Sequence, residues 1–142
     1  MEIAVLRKSL LQAIETAKRD AASRRARTDD ATRAYTGFLE QTAVPVFRAM
    51  AAALKGEGLP FEVMTPSGGV RLVPERTRED GIELSLDGTL DPPLPVVTVV
   101  RSRGHRTVRH ERPVKDGLRV EGLTEDDVAQ MLLDELRPWL ER

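Results

Sequence analysis

Apolar residues recur at helical spacing through the first third of the chain. The first stripe has intervals of three and four residues and runs through Ile3, Leu6, Leu10, Ile14, Ala17 and Ala21. A second stripe with the same spacing runs through Ala31, Ala34, Phe38, Thr42, Val46, Ala49 and Ala53. No glycine or proline occurs before Gly37, so the first stripe contains no helix breaker. The pattern predicts helical segments over residues 2–27 and 31–55.

Two arrangements of these segments fit the sequence: one continuous helix, or a helical hairpin that turns near residues 28–30. The charges favour the hairpin. Three arginines, at positions 24, 25 and 27, would lie at the negative end of a first helix. Asp29 and Asp30 would lie at the positive start of a second helix, where Asp30 could serve as the N-cap. Pro45 lies inside the second segment and predicts a kink there.

From Leu59 onward the apolar period changes to two, which is typical of β-strands. Turn residues at 65–69, 87–88, 91–93 and 103–104 divide this region into short strands. We expect an antiparallel meander of four to five strands between residues 59 and 121, with 119–121 as a short edge strand. The run from Val96 to Arg101 is apolar at both alternating sets of positions, so it predicts a central strand covered on both faces.

The last predicted element is an amphipathic helix at residues 124–141. Thr124 is a good N-cap and is followed by acidic residues that favour the positive end of a helix dipole. The fold class is therefore α+β, with a single domain over 1–142. Its parts are a helical segment at 1–57, an antiparallel sheet at 58–121 and a C-terminal helix at 122–142. We expect the C-terminal helix and part of the second helical segment to cover one sheet face.

Composition narrows the classes of function. The 142 residues carry a formal net charge of −1, which gives no overall attraction to nucleic acid or to an anionic membrane. Cysteine is absent, so disulfides, thiolate nucleophiles and cysteine metal sites are excluded. Charges interrupt the apolar residues near the N-terminus, and no apolar run approaches the ~20 residues of a spanning helix. We expect a cytoplasmic protein with no membrane partner.

Residues with catalytic chemistry are few. None of the serines lies in a Gly-x-Ser-x-Gly elbow, and neither His105 nor His110 stands at a metal-motif spacing from another ligand. The sequence therefore predicts no catalytic residue, no metal site, no cofactor and no enzymatic activity.

One cluster of like charge stands out, on the predicted strand pair at 101–115. Its members are Arg101, Arg103, Arg106, Arg109, Arg112 and Lys115. A two-stranded ribbon that carries arginines can follow nucleic-acid phosphates or bind an acidic protein. The alternative is ion pairing within the sheet, with acidic residues of neighbouring strands, namely Glu75, Glu79, Asp80 and Glu83.

The N-terminal stripe is a second candidate surface. Much of this segment is charged, and a helix that adds little to a core often binds a partner through its apolar face. The candidate contact residues are Ile3, Leu6, Leu10 and Ile14. The leading hypothesis is a non-enzymatic protein–protein interaction module, such as an adaptor, an assembly factor or a chaperone-like accessory, that forms homo-oligomers. The alternatives are nucleic-acid binding through 101–115 and a small-ligand pocket between sheet and helix.

Overall fold

One continuous helix fills the N-terminal third of the protein. In the computed structural model, which describes residues 1–141, helix α1 spans Ile3–Phe38, a π-helical turn spans Leu39–Ala43, and helix α2 spans Val44–Gly56. Of the two arrangements that the sequence allows, the continuous helix is confirmed, and the hairpin that the charges favoured at residues 28–30 is wrong. Two contacts within the helix run through this segment: Thr32 Oγ1 donates to the Thr28 carbonyl at 2.8 Å, and Arg33 pairs with Asp30. Without a glycine or proline, charge placement alone does not break a helix.

The expected irregularity at Pro45 takes the form of a wider turn. Proline lacks the N–H that would bond to the carbonyl four residues earlier, and its ring clashes with that carbonyl. The π-helical turn at Leu39–Ala43 lies immediately before Pro45, which occupies the first turn of α2. A π-turn is one of the established ways for a helix to absorb such a clash without ending.

The sheet is a five-stranded antiparallel meander. Its strands are β1 (Phe61–Met64), β2 (Gly69–Pro74), β3 (Gly81–Asp87), β4 (Leu94–Arg103) and β5 (Arg106–Pro113), and their order across the sheet is β1-β2-β3-β4-β5. This confirms the meander. The segment 119–121 is not an edge strand as expected, because Val120–Gly122 forms a 3₁₀ turn that buries Val120 in the core.

The core lies on one face of this sheet. Helix α3 (Glu125–Leu140) begins after Thr124, whose hydroxyl accepts from the Asp127 N–H in a capping box, as the sequence predicts. Helices α2 and α3 pack against each other and against the sheet face that carries Val97 and Val99. The main helical contributions are Phe47, Leu54, Val128, Met131, Leu132, Leu136 and Trp139. The expected cover of the sheet by the C-terminal helix and part of the second helical segment is confirmed.

The opposite face of the sheet is not covered in this way. Val96, Thr98 and Val100 are only half-buried and do not belong to the core, so the expectation that β4 is enclosed on both faces is wrong. Cross-strand neighbours share this face: Glu83 lies opposite Thr98 and forms an ion pair with Arg71 at 3.4 Å. Valine at alternate positions therefore reflects β-propensity on a mixed surface rather than a second core.

Tyr35 fixes the long helix to the sheet. Its hydroxyl donates to the Gly68 carbonyl in the β1–β2 turn at 2.7 Å, and its ring is buried in the core. Burial raises the pKa of Tyr35 to about 12, with a further contribution from the negative charge of Glu83. The phenol is therefore held in its neutral, hydrogen-bond-donating form.

The raised pKa predicts a loss of stability at alkaline pH. The unfolded chain ionises Tyr35 near pH 10, while the folded chain resists ionisation to about pH 12. The free energy of unfolding should therefore be insensitive to this group below pH 10, and should fall by up to roughly 2 kcal/mol as the pH rises to 12. Tyr35 is the only tyrosine in the chain, so ultraviolet absorbance titration reports it alone. A midpoint near pH 10 in folded protein would contradict the prediction, and the alkaline loss should be smaller in Tyr35→Phe.

Candidate functional site

The first half of helix α1 projects away from the rest of the protein. Every residue from Met1 to Asp30 is exposed except the half-buried Ala21, and burial in the core begins only at Ala31. The first contact with the sheet region is at Arg27, whose guanidinium donates two hydrogen bonds to Asp91, at 3.3 and 3.1 Å. The residues before it, 3–26, form an exposed rod about 36 Å long at 1.5 Å per residue. We call residues 3–26 the projecting helix.

The Arg27–Asp91 contact fixes the base of the projecting helix. Hydrogen bonding to the Arg27 guanidinium lowers the pKa of the Asp91 carboxyl, and the same bond raises the pKa of Arg27. A notch of about 240 Å³ lies beside this pair, between helix residues, the loop prolines Pro92 and Pro93, and Leu94 at the start of β4. The sequence analysis did not identify this pair, since 64 residues separate its members.

The four predicted contact residues lie together along one side of the projecting helix. Ile3 is 82% exposed, Leu6 and Leu10 are each 56% exposed, and Ile14 is 39% exposed. Ala17 and Ala21 continue the row, which we call the apolar stripe. None of the stripe residues belongs to the core, and all of them are exposed except Ala21, which is half-buried. The stripe is therefore an unpartnered hydrophobic surface on a rigid rod.

Charged residues flank the apolar stripe with opposite signs. At 3.6 residues per turn, Asp20 projects along one flank, and Glu2, the N-cap residue, precedes the helix on the same side. Arg7, Lys18 and Arg25 project along the other flank. Among the described residues, no ion pair involves any residue before Arg27. Sequence reasoning identified the stripe and missed the flanks, although their spacing could be read from the same helical geometry.

The six predicted basic residues of 101–115 separate into two groups. In the first group, Arg112 contacts Glu135 at 3.2 Å, Lys115 contacts Asp127 at 3.3 Å, and Arg109 contacts Glu111 at 3.6 Å. The partners are therefore residues of α3 and of β5 itself. The predicted partners of neighbouring strands, Glu75, Glu79, Asp80 and Glu83, do not fill this role. Strand β5 is an edge strand, and its only neighbouring strand, β4, presents no carboxylate.

The second group forms the end of a protruding strand pair. Arg101, Arg103 and Arg106 make no ion pair with any residue in 1–141, and Arg103 lies directly opposite Arg106. Pairing with β3 ends at Val100, so residues 101–106 extend beyond the sheet by about 10 Å at 3.3 Å per residue. We call residues 101–106 the basic tip.

The buried carboxylate of Asp80 supports the base of this tip. Asp80 is only 3% exposed, and its Oδ1 accepts from the Ser102 N–H at 2.9 Å and from the Ser102 hydroxyl at 2.8 Å. Asp80 directly precedes β3. The last residue pair between β3 and β4 is Gly81 with Val100, and Ser102 lies two residues further along β4. Strand β4 is thus held at the start of the tip, where β3 no longer pairs with it.

The histidines lie in different surroundings. His105 is exposed in the turn of the basic tip. His110 Nε2 lies 2.9 Å from Glu135 Oε2, and the same carboxylate accepts from Arg112. Glu135 is the one polar residue in the apolar row of α3, and these two contacts explain its presence there. Within residues 1–141, no three histidine or acidic side chains converge as metal ligands would.

Two recesses lie between the sheet and α3 within the described residues. The larger, of about 530 Å³, is a hollow open to solvent at the end of α3, lined by Arg101, Ser102, Arg103, Pro138 and Glu141. The smaller, of about 100 Å³, is lined by Val99, Arg101, Val108, His110, Glu135 and Trp139, together with Pro138. Pockets that bind small molecules typically have volumes of about 300–1,000 Å³. The smaller recess is therefore a gap beside the His110–Glu135 contact rather than a ligand pocket of ordinary size.

Comparisons of this chain with protein-family models, with curated proteins and with solved structures find no match. No helix among the described residues combines the length and the apolar character needed to cross a membrane.

The Glu135 contacts predict a specific loss of stability. Glu135→Gln removes the charge that Arg112 and His110 share, and the carboxylate is only 14% exposed. We expect the free energy of unfolding to fall by about 1–2 kcal/mol in urea denaturation near neutral pH. The matched control is Asp134→Asn: its carboxylate is 51% exposed and lies 3.9 Å from Arg112. The control should cost less than about 0.5 kcal/mol. Equal effects of the two variants would contradict the role assigned to Glu135.

Proposed function

We propose that the protein is a non-enzymatic protein–protein interaction module that self-associates through its projecting helix. An adaptor, an assembly factor or a chaperone-like accessory would have these properties. The observation that carries the proposal is the apolar stripe on residues 3–21, whose large side chains Ile3, Leu6, Leu10 and Ile14 are exposed and lie outside the core. Contiguous exposed hydrophobic surface usually marks an interaction site.

The rigid attachment of the helix supports this proposal. Residues 31–54 are packed into the core, so the helix does not have to nucleate in water. The projecting residues extend an existing helix and contain no glycine or proline. The stripe is thus preformed, which lowers the conformational entropy lost when a partner binds.

The charges favour a second copy of the same chain as the partner that covers the apolar stripe. One helix carries both an acidic and a basic flank beside the same stripe, so two copies can be complementary to each other. Burying the large side chains Ile3, Leu6, Leu10 and Ile14 of two chains would contribute roughly 1 kcal/mol each on average, because they are between 39% and 82% exposed beforehand. This sum of about 8 kcal/mol must offset an association cost of about 4–15 kcal/mol. We therefore expect a reversible dimer that dissociates on dilution.

Charges placed on the stripe should abolish self-association. Sedimentation analysis over a concentration series should show unaltered protein rising from the 15.8 kDa monomer toward twice that mass. The double variant Leu6→Asp, Leu10→Asp should stay monomeric throughout, because it would bury four unpaired carboxylates per dimer. At concentrations where unaltered protein is monomeric, thermal unfolding of the variant should match it, since both positions are exposed.

The matched control places the same charges on the other side of the helix. Val5 is 55% exposed, almost the same as Leu6, and faces away from the stripe with Gln12. Val5→Asp with Gln12→Asp should dimerise like unaltered protein. If unaltered protein is a strict monomer at the highest concentration reached, the proposal of self-association fails.

A second candidate function, contact with nucleic acid through the basic tip, has one specific observation in its favour. Like charges directly opposite each other in a sheet are destabilising, and the Arg103–Arg106 pair is of this kind. The tip extends by about 10 Å, comparable to the ~8.5 Å depth of the major groove of DNA. A duplex would supply the phosphates that neutralise the two arginines.

This candidate predicts salt-dependent binding to duplex DNA. Affinity measured by fluorescence anisotropy should fall steeply between about 50 and 200 mM salt, and Arg103→Glu with Arg106→Glu should abolish it. The control variant, Arg48→Glu with Arg76→Glu, makes the same charge change at two exposed arginines of other elements and should bind nearly as well. Binding that is indifferent to salt, or lost equally in both variants, would exclude the tip as the contact.

A further inference from the structure

We propose that two copies of the projecting helix pack in parallel, with the acidic flank of each chain against the basic flank of the other. This inference rests on the proposed self-association and adds its orientation and register. The charges that flank the apolar stripe carry the argument, because they distinguish the two ways in which two identical helices can pair.

In a parallel pair, opposite flanks of the two helices meet. A residue on the acidic flank then lies near a residue about five positions later on the basic flank of the other chain. Glu2 would face Arg7 of the partner subunit, and Asp20 would face Arg25 of the partner subunit. The two-fold symmetry of the pair would repeat both contacts, so four contacts of opposite charge would border the stripe.

In an antiparallel pair, the same flanks meet instead. The register that aligns the two apolar stripes places Ile3 of each chain beside Ala21 of the other. Glu2 would then lie near Asp20 of the partner subunit, and Arg7 near Lys18 of the partner subunit. Each of these contacts joins like charges, which oppose association at the same positions where the parallel pair gains attraction.

The structure also shows where the parallel pairing must end. Arg24 follows Ala21 on the same side of the helix, so two copies of Arg24 would face each other and repel. From Tyr35 onward, the β1–β2 turn occupies space beside the helix, held by the hydrogen bond to Gly68. The two helices therefore pair over residues 3–21 and diverge before the folded parts of the two chains.

The spacing of the stripe agrees with a nearly straight pair. Three pairs of stripe positions lie eleven residues apart, namely Ile3 with Ile14, Leu6 with Ala17, and Leu10 with Ala21. An eleven-residue repeat corresponds to about 3.67 residues per turn, close to the undistorted helix. Small residues at 17 and 21 allow the two helices to approach closely just before they diverge.

Disulfide trapping tests the orientation, and the absence of native cysteine makes the test clean. Full-length Ala21→Cys should form a disulfide-linked dimer under mild oxidation, because the two copies of position 21 adjoin in the parallel pair. In an antiparallel pair they would be about 27 Å apart. Gln12→Cys, on the side away from the stripe, is the control and should stay largely unlinked.

A mixture of Ile3→Cys and Ala21→Cys proteins distinguishes failure of the parallel orientation from failure of self-association. Homodimeric links at each position support the parallel pair. A mixed link between positions 3 and 21 overturns the parallel orientation while self-association stands. A monomer by sedimentation, with no link above the Gln12→Cys level, overturns both the orientation and the proposed function.

Charge exchange at one contact gives an independent readout. In a parallel pair, Asp20→Arg replaces two attractions by two repulsions and should weaken the dimer roughly tenfold. Adding Arg25→Asp should restore most of the affinity, and 0.5 M salt should reduce the difference. In an antiparallel pair, the same Asp20→Arg change would attract Glu2 of the partner subunit and tighten the dimer. Tighter association of Asp20→Arg would therefore overturn the proposal.

Discussion

The packing of residues 31–54 against the sheet is the interaction on which the rest of the structure depends. Phe47 and Leu54 are buried beside α3, and Tyr35 bonds the β1–β2 turn, so the second half of the long helix is firmly held. Helix formation is costly to begin and inexpensive to extend. A helix fixed at Ala31 therefore extends back to Ile3, although no residue before Ala31 is buried in the core. The exposed apolar stripe is a consequence of that extension.

The sequence predicted the elements better than their junctions. Apolar periodicity identified α3, its Thr124 cap and the antiparallel meander, since each of these depends on neighbours within a few residues. The proposed break at residues 28–30 failed because Arg24, Arg25, Asp29 and Asp30 fit equally well inside an uninterrupted helix. Charge near a helix end contributes only about 0.3–1 kcal/mol. That contribution is too small to interrupt a helix from which breakers are absent.

The polar contacts show a similar limit. The arginines and lysine of 101–115 were visible as a cluster, yet their separation into paired residues and a free tip depends on α3, which approaches β5 only in the folded chain. Arg112 meets Glu135 across 23 residues, and Asp80 meets Ser102 across 22. Neither contact has a local signature. By contrast, the flanking charges of the projecting helix follow from helical geometry alone, so that part of the candidate site was within reach of the sequence.

The two candidate surfaces lie at opposite ends of β4, which bears on how they would act together. Leu94 begins this strand beside the notch at Arg27, and Arg103 ends it at the basic tip, about 30 Å away at 3.3 Å per residue. Pairing through the projecting helix therefore leaves the tip uncovered, and a dimer would present two tips. If each tip binds a polyanion weakly, linkage of two sites raises the effective concentration of the second contact without any new interaction. Self-association would then strengthen anion binding, and the stripe variant Leu6→Asp, Leu10→Asp would weaken it although the tip itself is unchanged.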